Sequence, residues 1–191
     1  MKCNKCELCR RNKPIESNKK YDAEISFILS YPDYHSVKHN EILSDNGHFG
    51  KTFDNMLKLI NLSKDDVYLT YLVKGRPIGN NIKKRNITAC SDYLKDELKL
   101  INSKIIVLLG YEPINFIFKE NKPIYNYLDK AYLTKDNKYI ICGYSPSYMF
   151  NDVRNHHTAV KLMVNLYKLY TNFINVQYKN IEVHKIIKEL T

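Results

Sequence analysis

The chain has 191 residues and a mass of 22.6 kDa, which favours a single domain. Hydrophobic residues make up 44% and charged residues 26%, values that argue against wholesale disorder and against a fibrous repeat. Thirty Lys and Arg against 20 Asp and Glu give a net charge of +10, which favours a polyanionic partner, either nucleic acid or an anionic membrane surface.

The apolar runs and the cysteines indicate the cellular setting. No run approaches the ~20 residues of a membrane helix, and the N-terminus lacks the apolar core of a secretory signal. Without a secretory signal, we expect the five cysteines to be free of a disulfide framework and the location to be the reduced cytoplasm. Without an apolar span of that length, we expect no membrane partner. The many Lys, Asn, Ile and Tyr residues suggest an AT-rich genome, such as that of a low-GC bacterium or of its phage. For a phage protein, the expected location is the host cytoplasm.

Apolar runs alternate with amphipathic segments along the chain. Four strands are predicted, at Glu24–Leu29, Asp66–Val73, Ile105–Leu109 and Tyr139–Gly143. Helices are predicted at Thr52–Asn61, Thr88–Leu100, Pro113–Phe118 and His156–Thr171. In the last helix, four residues are spaced for burial: Val160, Met163, Val164 and Tyr167. The alternation predicts an α/β fold with a mainly parallel four-stranded sheet and helices on both faces, over residues 1–171. Residues 172–191 form an extension of unknown role that could add an edge strand and a helix, with apolar residues at Ile174, Val176, Ile181, Val183 and Ile186.

In parallel sheets the ligand site lies at the carboxyl ends of the strands, so two loops there are of particular interest. The segment Lys74–Arg85 has free backbone amides and cations that suit phosphates, at Lys74, Arg76, Lys83, Lys84 and Arg85. A solvated basic loop is the alternative. The segment Ser145–Arg154 carries three consecutive large side chains, at Tyr148, Met149 and Phe150. These either pack into the core or insert between base steps as an apolar wedge.

Three cysteines lie close together near the N-terminus, at Cys3, Cys6 and Cys9. Thiolates hold soft metals and iron–sulfur clusters, and a four-ligand site needs one more donor. Cys90 is the candidate for that donor, whereas Cys142 is expected to be a core residue of a strand. The pattern therefore predicts a 4Fe-4S cluster, with zinc, or free thiols and no metal, as alternatives.

The order of these motifs resembles the uracil-DNA glycosylase superfamily, in particular its iron–sulfur (family 4) branch. The resemblance rests on short segments in the family's order over about residues 1–170. They are Cys3-x2-Cys6-x-Leu8, Leu29-Ser-Tyr-Pro-Asp33, Gly47-His-Phe-Gly50, Tyr71-Leu-Val-Lys-Gly-Arg-Pro77, Ala89-Cys-Ser-Asp-Tyr-Leu94, Leu109-Gly110 and Ser145-Pro-Ser147. The resemblance implies a three-layer α/β/α sandwich and a DNA partner, with a base pocket at Tyr31 and Phe49.

Several positions depart from the family's motifs. By the resemblance, Ser30 stands where the family has a water-positioning Glu, Tyr71 where it has a base-reading Asn, and Ser145 where it has a His that stabilises the departing base. Gly75 replaces a family Cys, and Cys9 could replace that thiol. Asp33 could orient water from the first loop.

Two functions follow from the resemblance. The first is a DNA-binding protein of this fold with a degenerate or altered catalytic site, acting in repair or replication, where a replication or repair protein is a possible partner. The second is an active glycosylase that hydrolyses the N-glycosidic bond of uracil or another modified base. In both cases, the residues expected to contact DNA come from the two loops described above. They are Lys74, Arg76, Lys83, Lys84, Arg85, Ser147, Tyr148 and Arg154.

Overall fold

The protein is built around one six-stranded sheet. The structure, a computed structural model, describes residues 3–174 and 183–185. The strands are β1 (Ile25–Leu29), β2 (Tyr68–Tyr71), β3 (Ile105–Leu109), β4 (Ala131–Leu133), β5 (Tyr139–Gly143) and β6 (Val183–Lys185). Their order across the sheet is β2-β1-β3-β5-β4-β6. The first three strands and β5 run parallel, and β4 is antiparallel to β5.

Helices cover both faces of this sheet. They are α1 (Glu7–Arg11), α2 (Tyr34–His39), α3 (His48–Lys58), α4 (Lys84–Leu100), α5 (Tyr111–Phe118), α6 (Pro146–Phe150) and α7 (His156–Ile174). Side chains of α3, α6 and α7 form one apolar cluster with the sheet, and those of α1, α4 and α5 form a second. The predicted three-layer α/β/α arrangement is confirmed.

Alternation along β1 shows how the sequence produces these layers. Phe27 packs at 5.0 Å, ring edge to face, on Phe53 of α3, while Ile28 belongs to the cluster on the opposite face with Leu94 of α4. Successive side chains of a strand point to opposite faces, and all five residues of β1 are buried, so helices have to cover both faces of the sheet there.

The predicted count of four strands was wrong, since the sheet formed by the described residues has six. The three-residue β4 is too short to give a periodic signal, and a turn at 134–137 joins it to β5, with the Thr134 amide donating to the Lys138 carbonyl. The strand β6 pairs with β4 at the edge of the sheet, within the C-terminal extension, for which an edge strand and a helix were the expected additions. Residues 175–182 and 186–191, which include Val176, Ile181 and Ile186, lie outside the described residues.

The helices α3 and α4 begin about one turn earlier than predicted, at His48 and Lys84. The helix α4 starts after Lys83, whose amide donates to the Asn86 side chain at 3.0 Å. Thr88, predicted to be the cap, lies inside the helix, and its hydroxyl donates to the Lys84 carbonyl at 3.2 Å. A threonine hydroxyl can bond four residues back within a helix, so the residue type alone did not identify the cap.

The helix α7 buries a different stripe from the predicted one. Of the four residues predicted to be buried, only Met163 is, whereas Val160, Val164 and Tyr167 are 44–50% exposed. The buried residues are Ala159, Leu162, Met163, Leu166 and Leu169. No helix in the described part of the chain is long and apolar enough to cross a membrane.

Candidate functional site

A cavity of about 570 Å³ opens at the carboxyl ends of the parallel strands. Its wall includes the ends of β1 and β2, the turn that follows β3 and the loop that follows β5. The predicted catalytic positions Ser30, Asp33, Tyr71 and Ser145 all line it. Residues far apart in the sequence are brought together because parallel strands present their carboxyl ends at one edge.

The floor of the cavity lies at Gly110, directly after β3. Its φ of +107° is in a region that L side chains rarely adopt. A Cβ atom built there would lie 2.5 Å from Ser30 Oγ, 3.5 Å from Ser145 Cβ and 3.8 Å from Glu112 Oε2. The absence of a side chain thus allows groups from three strand ends to meet.

A serine–carboxylate pair stands at this meeting point. The Ser30 hydroxyl donates to Glu112 Oε2 at 2.7 Å, across 82 residues of sequence. Glu112 is in the first turn of α5, where the helix dipole favours a negative charge. Sequence reasoning missed Glu112, although its position two residues beyond a strand-ending glycine was a usable signal.

Two of the predicted catalytic residues act as helix caps. Asp33 Oδ1 accepts the Ser36 amide at 2.7 Å at the start of α2. Ser145 Oγ accepts the Tyr148 amide at 3.3 Å at the start of α6. Both are standard N-cap contacts, so each residue has a structural role at the cavity wall. The Ser145 hydroxyl can still donate one hydrogen bond.

Tyr71 forms a buried part of the wall. Its side chain is 2% exposed, and its hydroxyl lies 3.0 Å from Ser36 Oγ and accepts the Leu43 amide at 3.2 Å. Burial raises the pKa of Tyr71, which keeps the phenol neutral. The ring lines the cavity without filling it, and the hydroxyl forms its hydrogen bonds with α2 and with the loop between α2 and α3.

The rest of the wall is aromatic. Tyr31 and Phe49, predicted as the base pocket, both line the cavity. At the other side, the rings of Tyr144 and Tyr148 stack with centroids 4.2 Å apart, and Tyr148 is 45% exposed. Met149 and Phe150, the two residues that follow, are buried and belong to the core. Flat aromatic faces with hydrogen-bonding groups between them suit a planar heterocycle.

Lys74, which was predicted to contact phosphate, lies inside the fold. Its side chain is buried, and Nζ lies 2.7 Å from both carboxylate oxygens of Glu97 on α4. The expectation that Lys74 contacts DNA is therefore wrong, because an ion-paired lysine inside the fold cannot reach a phosphate.

The other predicted cations are on the surface or at the cavity. Arg76 lines the cavity, with its guanidinium carbon 5.7 Å from the centre of the Tyr34 ring. Lys83 and Lys84 are exposed at the start of α4. Two arginines are exposed but paired, Arg85 with Glu7 at 2.8 Å and Arg154 with Asp152 at 2.6 Å. Ser147 is exposed and accepts a hydrogen bond from Asn151.

The predicted metal ligands lie near one another. The Cys9 thiol donates to Cys3 Sγ at 3.0 Å, and Cys6 Sγ lies 3.9 Å from Cys9 Sγ. Burial raises the pKa of Cys90, and the charges of Cys6 and Cys3 raise it further. At Cys3, burial alone would raise the pKa, but hydrogen bonds from Cys9 and the Lys5 backbone outweigh burial and lower it.

This thiol group has the right donor chemistry for a soft metal or an iron–sulfur cluster. Among residues 3–174 and 183–185, however, no group of three or more His, Cys, Asp or Glu side chains has the arrangement of a preformed metal site. Cys142 is buried in β5, in the core as predicted.

Comparison with known proteins agrees with this architecture. The model of the uracil DNA glycosylase superfamily matches residues 19–166. A type-4 uracil-DNA glycosylase of Saccharolobus solfataricus is 36% identical over 127 residues, covering 62% of this chain and 56% of the relative. That of Archaeoglobus fulgidus is 34% identical over 122 residues, covering 62% and 59%. That of Thermotoga maritima is 26% identical over 172 residues, covering 84% of each. The chain thus spans little more than half the length of the first two relatives.

Proposed function

The chain belongs to the uracil DNA glycosylase superfamily, and from that premise we propose that it binds DNA and holds an extruded base in the cavity, with catalytic groups altered from the family's pattern. The open cavity of about 570 Å³ carries the proposal. It combines aromatic walls at Tyr31 and Phe49 with hydroxyl and carboxylate groups at its floor. An extruded base is read by such stacking and hydrogen-bonding contacts.

The altered positions limit uracil excision by the family's route. Cleavage of an N-glycosidic bond develops negative charge on the departing base, and donors aimed at that charge speed the reaction. Loss of one such donor typically costs ~10²–10³ in rate. Here Ser145 and Tyr71 stand at positions where the resemblance implies His and Asn, and the Tyr71 hydroxyl already bonds within the fold. Uracil release is therefore expected to be absent or far slower than by an intact family member.

A second candidate is a DNA-binding subunit without hydrolysis, within a replication or repair assembly. The use of Asp33 and Ser145 as helix caps favours it, because both side chains would be kept for structure alone.

One experiment tests the proposal and separates the two candidates. Oligonucleotides with deoxyuridine, deoxyinosine or 5-hydroxymethyl-deoxyuridine, as single strands and duplexes, are assayed for binding and, with excess protein, for base release. Binding of these strands, with uracil release absent or slow, is expected. Release of any base favours the enzyme, and binding without release favours the subunit. Absence of binding would contradict the proposal, and brisk single-turnover release of uracil would contradict the interpretation of Ser30, Tyr71 and Ser145.

We further propose that Cys3, Cys6, Cys9 and Cys90 hold a 4Fe-4S cluster, with zinc or no metal as the alternatives. The two pairs of neighbouring thiols near the N-terminus support it, as does the position of α1. A Cβ on Gly75 would lie 2.9 Å from Leu8 Cβ, so the absence of a side chain at Gly75 lets α1, which carries Cys9, pack against the segment after β2. Such a cluster would fix the N-terminal segment to α4.

Metal analysis of the anaerobically purified protein tests the cluster. Iron and labile sulfide are expected, and Cys90→Ser should lose them. Cys142→Ser is the matched control and should retain them, because Cys142 is a core residue on β5. Protein that holds neither iron nor zinc after anaerobic reconstitution would contradict any metal at this site.

A further inference from the structure

Two acidic residues of the described chain line the cavity, and they are not equivalent. Asp33 Oδ1 is engaged by the Ser36 amide as a helix cap. Glu112 instead receives the Ser30 hydroxyl at 2.7 Å, at the junction of the strand ends. Glu112 is thus the carboxylate whose side chain extends into the cavity floor without capping a helix.

The surroundings keep this carboxylate half-buried beside polar groups. A Cβ on Gly110 would lie 3.8 Å from Glu112 Oε2 and 3.5 Å from Ser145 Cβ, so Glu112 and Ser145 both border the floor. Burial raises the pKa of Tyr31, and the charge of Glu112 raises it further, while Arg76 opposes the increase. The carboxylate therefore lies within electrostatic reach of the pocket wall at Tyr31, whose phenol is also within reach of Arg76.

The chemistry of the bond requires a proton acceptor at such a place. Hydrolysis of an N-glycosidic bond joins a water oxygen to the sugar C1′ and breaks the bond from C1′ to the base nitrogen. The base leaves with the electron pair of that bond, and the water must lose a proton. A carboxylate within hydrogen-bonding reach of the water is a suitable acceptor.

On the basis of the proposed function, we propose that Glu112 is the general base of this site and that Ser30 positions it. Glu112 takes the proton of the attacking water, and the departing base takes its own proton from solvent, so protons and electrons balance. Ser30 donates to Oε2 and holds the carboxylate in one orientation. The carboxylate thereby comes from the first turn of α5, after β3, whereas by the resemblance the family has a Glu directly after β1, at position 30.

Single-turnover assays with the full chain test this assignment. Glu112→Gln keeps the size of the side chain and an oxygen that can accept the Ser30 hydroxyl, but it is a far weaker base. Glu41→Gln is the control, because Glu41 is exposed and does not line the cavity. Each variant is assayed on the deoxyuridine, deoxyinosine and 5-hydroxymethyl-deoxyuridine strands, and binding and thermal unfolding are measured alongside.

The expected result is a loss of about 10²-fold or more in base release for Glu112→Gln, with unchanged binding and unfolding temperature. Glu112→Asp should recover part of the rate, and Glu41→Gln should match the wild type. A Glu112→Gln variant that releases base at the wild-type rate would overturn the assignment and leave the proposed function intact. Wild-type protein that binds these strands and releases none of the bases would also overturn it, while DNA binding would stand. Failure to bind would overturn both.

Discussion

The Tyr71 hydroxyl connects the end of β2 to helix α2 and to the loop between α2 and α3. It lies 3.0 Å from Ser36 Oγ and accepts the Leu43 amide at 3.2 Å, and all of these groups are buried. A buried amide without a partner costs free energy, so this phenol stabilises the loop that forms the cavity wall.

Replacement of Tyr71 by Phe should therefore destabilise the protein by about 1–3 kcal/mol, because the Leu43 amide loses its acceptor. Urea denaturation measures the free energy of unfolding. Tyr125→Phe, at a tyrosine that is 68% exposed, serves as the control and should be close to neutral. Equal effects of the two substitutions would show that the Tyr71 hydroxyl is not structural.

Lys74 and Glu97 form an ion pair whose lysine is 1% exposed and whose glutamate is 12% exposed. Burial lowers the pKa of Lys74, and the charge and hydrogen bonds of Glu97 oppose that shift. The Thr70 hydroxyl also donates to Glu97, at 2.6 Å. The pair joins the segment after β2 to α4 inside the fold.

Glu97→Ala should destabilise the protein by about 3–5 kcal/mol, because it leaves the Lys74 ammonium buried without a counter-charge. The double substitution Lys74→Met with Glu97→Leu removes both charges and should recover most of that loss. Chemical denaturation of the three proteins gives the comparison. A double variant as unstable as Glu97→Ala would mean that the loss arises from packing and not from the unpaired charge.

At the scale of elements, the turn from β3 into α5 determines the geometry of the cavity floor. Gly110 has a φ of +107°, and Ser30 Oγ lies 2.5 Å from the place where a Cβ would be. The turn thus depends on glycine twice, for its backbone conformation and for the space that Ser30 occupies.

Gly110→Ala should cost about 1–3 kcal/mol in backbone strain and should also displace Ser30 from Glu112. Gly79→Ala is the matched control, since Gly79 also has a positive φ, of +60°, but has no atoms within 4 Å of a built Cβ. Thermal unfolding should show a larger loss at position 110 than at 79. A Gly110→Ala protein as stable as Gly79→Ala would contradict the close contact at the floor.

For the whole molecule, the net charge of +10 and the direction of α4 lead to a prediction of which edge would face the proposed DNA partner. The N-cap Lys83 and the first residue of α4, Lys84, lie near the carboxyl edge of the sheet, where the cavity opens. The helix runs back to the amino edge, where Lys99 lies near its end and Lys104 directly precedes β3. Two pairs of lysines therefore stand at opposite edges of the same fold.

Replacement of both Lys83 and Lys84 by Ala should make the dependence of log affinity on log salt shallower by about two units on duplex DNA. The reason is that each phosphate contact contributes a slope of about −0.9 through counterion release. Lys99→Ala with Lys104→Ala removes the same net charge at the other edge and should leave the slope unchanged. A change of slope only in the second pair would place the DNA on the amino edge.

The sequence by itself determined the parallel strands, the loops at their carboxyl ends and the family. The apolar run 105–109 is typical of a strand buried on both faces, because it is short, rich in Ile, Val and Leu, and followed by a glycine, and its bounds agree with the structure. Motif order along the chain then sufficed for the family, which the match over residues 19–166 confirms.

Only the tertiary structure decided which side chains meet. Ser30 and Glu112 are 82 residues apart, and their contact depends on β1 and β3 being neighbours in the sheet. Lys74 follows a strand, as a phosphate-binding lysine could, but Glu97 lies across from it on α4, and the ion pair makes its burial possible. The sequence did not determine which face of α7 is buried, because apolar residues lie on adjoining faces of the helix. The buried face is the one that packs on α3, α6 and β5. Local patterns carry propensity and periodicity, whereas pairing between distant residues depends on topology and on the free energy of burial.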